Sequence, residues 1–461
     1  MQTTASSGVK RGCLALAAGC VLLLAVWLGG SSSEALARTE DRTSSSAEPS
    51  PAATQEEGKD RKRDTKEYQL SRERYEKAVA YSRVGYTLYF VSVAWAIVRL
   101  LLLLRWKIVA GLRDFAERRS PRRVVQGLWF VPPLLLLLGL LDLPLRIYGH
   151  HLSLVYAQSV EGWGAWFGDW AKGEVVRVGI GLVVVAVLFP VMRWKPRTWW
   201  LYFWLASIPL VVFGVFLSPW LLDPLFNQYR PLGEKHPDLV RSIGILAERA
   251  GIALPPERMY LMLASAKTNE LNAYVTGIGA SKRMVVWDTT LEHLTPDEVL
   301  SVVGHEMGHY VLGHVGKGLA FALAATLFGL YLAYRLFGWV LQRWGGSWSV
   351  RGPTDWAALA VLLLLSDGLG FLAEPVANGF SRRLEHEADV YGLELTHGIL
   401  EDSREAAAHS FEVMGEVDLE DPNPPRFIAW WIYSHPPVAE RLKFAHDYDP
   451  WGKGEPPKFV K

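Results

Sequence analysis

Ser301 to His314 reads SVVGHEMGHYVLGH, and the spacing His305-Glu306-x-x-His309 inside it decides what the chain must build. On an α-helix, residues i and i+4 lie one above the other, so both imidazoles can turn toward a single ion. Glu306, beside the first histidine, can reach a water on that ion without being a ligand itself. The residues just upstream predict the helix this needs. Thr295-Pro296-Asp297-Glu298 offers a threonine N-cap, proline at the first helical position and glutamate at the capping-box position. Val299, Leu300 and Val303 then supply an apolar side to bury. A buried helix with two incidental histidines is the plainer reading, but it leaves the agreement of cap, helix and motif unexplained.

Outward from this helix the chain is largely apolar. Half of its 461 residues are hydrophobic and 20 are Trp, and mean hydropathy is +0.12. A net charge of +1 gives no nucleic-acid surface. The two cysteines, Cys13 and Cys20, share one apolar run and support neither a disulfide framework nor a thiolate metal site. Six segments, at about 84–104, 124–147, 175–192, 199–221, 317–341 and 355–380, approach the ~20 residues that a bilayer-spanning helix needs. Pro132, Pro133, Pro144, Pro190 and Pro209 fall in or near them, where neighbouring helices re-satisfy the backbone. Trp194, Trp199, Trp200 and Trp204 read as interfacial belt residues.

Residues 1–37 read as a signal peptide or signal anchor: Lys10 and Arg11, an apolar run from Leu14 to Leu28, then Ala35-Leu36-Ala37. Residues 38–65 are polar and charged, a composition that cannot offset its ordering entropy, and read as a disordered linker. A charged helix from about Lys66 runs into the first span. Four spans fill 66–222, a globular segment fills 223–314, two more spans fill 315–380, and 381–461 is a partly helical soluble part. Within 223–314, His236 to Ala250 reads as a helix. Arg258 to Leu263, Leu271 to Thr276 and Arg283 to Asp288 read as strands, with Gly277 to Ser281 as a turn. The fold class is therefore a mainly α membrane protein, a multi-span bundle carrying a small α+β metal-binding domain.

Two histidines leave a catalytic zinc site short of a protein ligand. Downstream of the last span, Glu385, His386, Glu387, Asp389 and Glu394 are candidates. Glu385 and Asp389 are one helical turn apart, which suits a carboxylate ligand with an aspartate that fixes a histidine tautomer. Glu387 falls on the opposite side. Geometry prefers Glu385 and leaves His386 open; a charged helix end at the membrane surface is the plainer account of the segment.

At these residues the chain resembles the type I CAAX prenyl endopeptidases and their bacterial relatives among the membrane gluzincins. The resemblance rests on Gly304 to His309, on Ser381-Arg382 with Glu385, Ala388 and Asp389, and on Asn272-Ala273-Tyr274. It extends to Pro224-Leu225-Phe226-Asn227 with Pro231-Leu232, and to Ser434-His435-Pro436 with Glu440-Arg441. It implies a helical bundle enclosing a chamber, with one zinc held by His305, His309 and Glu385. Glu306 would be the general base and Asp389 would orient a ligand. It also implies that Asn272, Ala273 and Tyr274 pair with an extended substrate backbone, and that His435 and Arg441 lie near the oxyanion. His314, His150 and His151 gain no role from it. The implied substrates are membrane-associated or lipid-modified peptides.

Two features depart from the family. The place of an extra N-terminal span is taken by the signal-like segment. The family also sets its zinc on the cytoplasmic side, whereas Arg105 to Arg123 and Arg193-Lys195-Arg197 are basic enough to place those loops in the cytoplasm and the catalytic segment outside. The signal-like start points to a bacterial inner membrane. Membrane-protein quality control by a metalloprotease of the heat-shock type is the nearest alternative function. A non-catalytic metal-stabilised scaffold is a third, against which the intact Glu306 argues. A transporter fits less well, because Asp142 and Asp367 are the main charges inside the spans.

Overall fold

The structure is a computed structural model that describes residues 68, 70–217, 221–277 and 282–460; the signal-like segment and the linker expected at 38–65 lie outside these residues. The first helix, α1 (Arg72–Arg105), begins at Ser71, whose Oγ accepts from the Arg74 N–H at 3.3 Å. Its charged start and apolar body form one continuous helix, as expected. A short helix α2 (Ile108–Arg119) occupies the basic loop. Then come α3 (Arg123–Val155), α4 (Trp163–Trp194) and α5 (Trp199–Leu217). Pro132, Pro133 and Pro144 lie inside α3 without ending it.

The globular segment starts with α6 (Asp223–Phe226) and β1 (Tyr229–Pro231), followed by α7 (Pro237–Arg249) and β2 (Met259–Met262). It continues through β3 (Ala273–Thr276), β4 (Arg283–Trp287) and α8 (Asp288–His293) to α9 (Pro296–Val311), which carries the metal motif. The strands form one sheet in the order β1-β2-β4-β3. β2 and β4 run parallel, and β3 lies antiparallel to β4 with Ala273 opposite Val286. β3 is thus an edge strand.

Two long helices follow, α10 (His314–Trp344) and α11 (Ala358–Thr396), then α12 (Ser403–Val417), α13 (Arg426–Ile432) and α14 (Val438–Asp447). Among the described residues, five helices, α1, α3, α4, α10 and α11, are long and apolar enough to cross a membrane. The remaining expected span is α5, a 19-residue helix whose apolar stretch, Trp199–Val212, is shorter. The last span and the third-ligand segment are one helix, α11.

Two cores result. In the bundle, Leu134, Leu138, Phe189, Phe203 and Leu359 are buried together; between membrane helices such contacts hold by close packing rather than by exclusion of water. Trp199 belongs to this core and is 3% exposed, edge-on to Tyr334 and Phe337. That corrects its reading as a belt residue, whereas Trp194 at 65% exposed faces outward. Asp142 is not alone in the span: Arg99 Nη1 lies 2.9 Å from its Oδ2, the pairing that an intramembrane charge requires.

In the globular part, Val299, Val303 and Met307 of α9 pack with Ala273, Met284 and Val286 of the sheet and with Tyr391 and Leu395 of α11. Each Val, Leu or Met side chain among them contributes about 1.5–3 kcal/mol by leaving water. The sheet therefore presses one face of the motif helix and α11 the other. The chain's end closes over α11: the Lys458, Phe459 and Val460 N–H groups donate to the Glu394 carboxylate at 2.5, 2.6 and 2.9 Å, and the Tyr448 hydroxyl joins them. Glu394, one of the ligand candidates, is occupied by this latch.

Candidate metal centre

The capping box read from the sequence is formed. Thr295 Oγ1 accepts from the Glu298 N–H at 3.5 Å, and Glu298 Oε2 accepts from the Thr295 N–H at 2.9 Å. With its first turn fixed, α9 is buried along almost its whole length, Glu306 included. α11 lies against it backbone to backbone, which three glycines allow. A Cβ on Gly392 would stand 2.8 Å from the His305 nitrogen, and one on Gly308 would stand 3.0 Å from the Tyr391 Cβ. Gly304 faces Gly392 and Thr396 in the same way.

This contact brings together the three residues expected to hold a metal. Glu385 Oε2 is 3.3 Å from His305 Nε2 and 3.5 Å from His309 Nε2, and the two ring nitrogens are 3.1 Å apart. Donors about 2.0–2.1 Å from a tetrahedral centre stand roughly 3.3–3.4 Å from one another, so this triangle has the size that a zinc-sized ion needs. The donor set, two imidazoles and one carboxylate, suits the same ion. Burial alone would lower the His305 pKa, but the adjacent Asp389 and Glu385 carboxylates reverse this and raise it; the surroundings favour positive charge at this point.

Each histidine has a partner on its other nitrogen. His305 Nδ1 lies 2.7 Å from Asp389 Oδ1, and Asp389 in turn accepts from Arg441 Nη2 at 2.6 Å and Nε at 3.0 Å. Arg441, expected near the oxyanion, has its guanidinium on Asp389 and stacked over Phe411 at 4.0 Å. His309 Nδ1 meets His314 Nδ1 at 3.0 Å, and His314 Nε2 lies 3.4 Å from Glu387 Oε2. If both Nε2 atoms present lone pairs to a metal, His309 donates to His314, and His314 carries its own proton toward Glu387. Sequence reasoning passed over His314. The remaining ligand candidates point elsewhere: His386 is edge-on to Phe444, and Glu387 also pairs with Lys317 at 2.9 Å and Arg383 at 3.3 Å.

His435 enters from the C-terminal part. Its Nε2 lies 3.1 Å from Glu385 Oε2, while Ser434 Oγ sits 3.1 Å from its Nδ1. The segment before it is anchored to α11. Arg382 Nη1 donates to the Ala429 carbonyl at 3.1 Å and also to that of Tyr433, and Tyr433 shares a 2.8 Å hydroxyl contact with Tyr86. Arg382 is therefore more than a charged helix end. β3 lies beside the motif helix, with Ala273 in the core shared with Val303 and Met307. Asn272 is fixed through its backbone: its N–H donates to Thr290 Oγ1 at 2.7 Å, and that hydroxyl donates back to its carbonyl at 2.8 Å.

The comparisons with known proteins agree with this geometry. The family model of peptidase family M48 matches residues 234–449, and that of the CAAX prenyl protease N-terminal region, described as five membrane helices, matches residues 60–228. The uncharacterized metalloprotease YhfN of Bacillus subtilis (strain 168) is 38% identical over 376 residues, which are 80% of this chain and 85% of that protein. The chain belongs to peptidase family M48. CAAX prenyl protease 1 of Saccharomyces cerevisiae is 27% identical over 340 residues, covering 70% of this chain and 73% of its own length. The crystal structure of S. mikatae Ste24p superimposes with a TM-score of 0.70 at 23% identity, over 84% of this chain and 91% of that one, which shows the shared fold. This member of the family is an integral-membrane metalloprotease, a helical bundle joined to a small protease domain.

Proposed function

We propose that this chain is a zinc endopeptidase that cleaves membrane-associated or lipid-modified peptides, with His305, His309 and Glu385 as ligands and Glu306 as general base. The observation that carries the reading is the convergence of those three donor atoms on the face of the helix that also bears Glu306. A zinc ion there supplies a Lewis acid that acidifies a water and polarises a carbonyl. The rest falls to the chain. Glu306 takes the proton from the attacking water and returns it to the leaving amine. His435, with the Ser434 hydroxyl at Nδ1, keeps a proton on Nε2 and donates it to the oxyanion as negative charge grows there. Asp389 and Arg441 hold the His305 ring, and His314 holds that of His309.

The substrate lies along β3. In the antiparallel ladder the Trp287 N–H donates to the Asn272 carbonyl at 3.0 Å, so the groups of Asn272 and Tyr274 face β4 and those of Ala273 and Val275 face away from it. An extended peptide that adds there meets two N–H and two C=O groups, next to the motif helix. Tyr274 packs on the other face of the sheet, its hydroxyl 3.2 Å from that of Tyr229.

The test is cleavage of one peptide with and without a C-terminal prenylated cysteine by detergent-purified protein. Faster cleavage of the prenylated form, lost on chelation, is the expected result. Equal rates on both would move the reading to quality control of membrane proteins. Glu306→Gln should keep the metal and lose about 10²–10⁴-fold in kcat; undiminished cleavage would remove Glu306 from the mechanism.

A further inference from the structure

Three connections between helices of the bundle meet at its end away from the metal centre. α10 starts next to the motif helix and runs 31 residues to Trp344, about 46 Å at 1.5 Å per residue, more than the ~30 Å hydrocarbon layer. α11 returns from that far end to bring Glu385 back. α3 also ends at the metal side, where the chain after it bridges at Ser159 to Thr268. The far end is therefore built from residues 105–123, 193–198 and 342–357.

Its charge is one-sided. Residues 105–123 carry seven Lys and Arg against Asp114 and Glu117, residues 193–198 carry three against none, and residues 342–357 carry two against Asp355. Each of the three acids is already paired with an arginine. Arg113 pairs with Asp114 at 2.8 Å and with Asp355 at 2.7 Å, and Arg351 pairs with Glu117 at 2.6 Å. Those pairs lock α2 to the α10–α11 connection, so these two windows form a single face. Arg105, Lys107, Arg118, Arg119, Arg122 and Arg123 remain exposed on its rim. Trp106 and Trp194, each 65% exposed, flank them, as aromatic residues do at a membrane interface. At the metal end the short connection at 156–162 has Glu161 and no Lys or Arg, and the Arg72, Arg74 and Lys77 at the start of α1 are interspersed with Glu73 and Glu76.

We propose that this basic, tryptophan-flanked face rests on the anionic cytoplasmic leaflet, so that the metal centre opens on the extracytoplasmic side of the membrane. Lys and Arg in short connections set orientation, because they resist translocation and are drawn to anionic headgroups. The segment from α6 to α9 is too long for its own charges to count in that rule. For substrates, the inference rests on the protease reading above and narrows it. The scissile bond belongs to a translocated, membrane-anchored polypeptide, and a chain whose cleavage site stays in the cytoplasm does not reach the centre.

The test is independent of activity. In the full chain, with Cys13→Ser and Cys20→Ser, single cysteines are introduced by Glu257→Cys on the metal side and Ser347→Cys at the basic end, both exposed positions. Sealed membrane vesicles of each orientation are treated with a membrane-impermeant maleimide. Glu257→Cys should label in right-side-out vesicles and Ser347→Cys only in inverted ones. The reverse pattern, or equal labelling of both sites in either vesicle type, overturns the proposal. Replacing Arg118, Arg119, Arg122 and Arg123 together by Gln should abolish the one-sided labelling; an unchanged pattern would remove the basic face as its cause. One-sided labelling as expected, in a protein that cleaves no peptide, counts against the protease reading and leaves the orientation standing.

Discussion

Gly392→Ala adds one methyl group and touches no ligand, yet it should release the metal. The new Cβ would stand 2.8 Å from the His305 nitrogen and 3.0 Å from its Cα, against backbone rather than a yielding side chain. Ordinary contact begins at 3.4 Å, so α9 and α11 must part by roughly 0.6 Å in a core packed too densely to absorb it. A metal site holds its ligand distances to about 0.2 Å. Moving the helix of Glu385 from that of His305 and His309 by three times this amount opens the triangle beyond what the ion can bridge.

Overpacking of this kind costs about 1–3 kcal/mol of stability. The control is Gly368→Ala on the same helix, where nothing lies within 4 Å of the added Cβ; there the better helix former should stabilise by up to about 1 kcal/mol. Thermal unfolding of the purified protein and zinc retention against a competing chelator read the two effects separately. Gly392→Ala should lower Tm and lose zinc, and Gly368→Ala should keep zinc with Tm unchanged or higher. A Gly392→Ala protein that binds zinc like the parent would refute the claim that helix approach sets the ligand triangle.

Three further predictions concern the same site. Glu385→Ala should lose zinc at chelator concentrations where Glu387→Ala retains it, because Glu387 is committed to Lys317, Arg383 and His314; equal loss, or the reverse order, would reassign the ligand. Asp389→Asn and His314→Phe should each weaken zinc binding about 10–100-fold. The aspartate effect should be the larger, since its bond is charge-assisted, and His314→Gln, which keeps an acceptor, should recover part of the loss; a silent His314→Phe would make its contact with His309 incidental. Val275→Pro removes an N–H that faces away from β4 and leaves the ladder to β4 intact. It should lower kcat/KM about tenfold, the worth of one hydrogen bond, with Tm unchanged; normal kinetics would place the substrate backbone elsewhere.

What the sequence disclosed about this site follows from how far each interaction reaches along the chain. The cap, the motif and the pairing of Glu385 with Asp389 are contacts within one or two helical turns, where fixed periodicity converts spacing into geometry. All of these could be placed without a structure. His314 could not, although it is only five residues from His309. On a continuous helix those positions would point about 140° apart. The chain instead leaves α9 at Leu312, turns through Gly313 at φ +68° and starts α10 at His314, and that break swings the second imidazole back onto the first. Arg441 was traceable only through the family, and its grip on Asp389 spans 52 residues. Arg382, holding the carbonyls ahead of His435, left no periodic trace. Neither did the tail over Glu394. Each half of the candidate ion site, the two histidines and the Glu385–Asp389 turn, is thus local in the chain, whereas the contacts by which Arg441, Arg382 and the tail brace it are remote. A search for H-E-x-x-H therefore finds the two histidines and misses what brings Glu385 to them, and a chain could keep every residue of the motif and still lose the metal at Gly392.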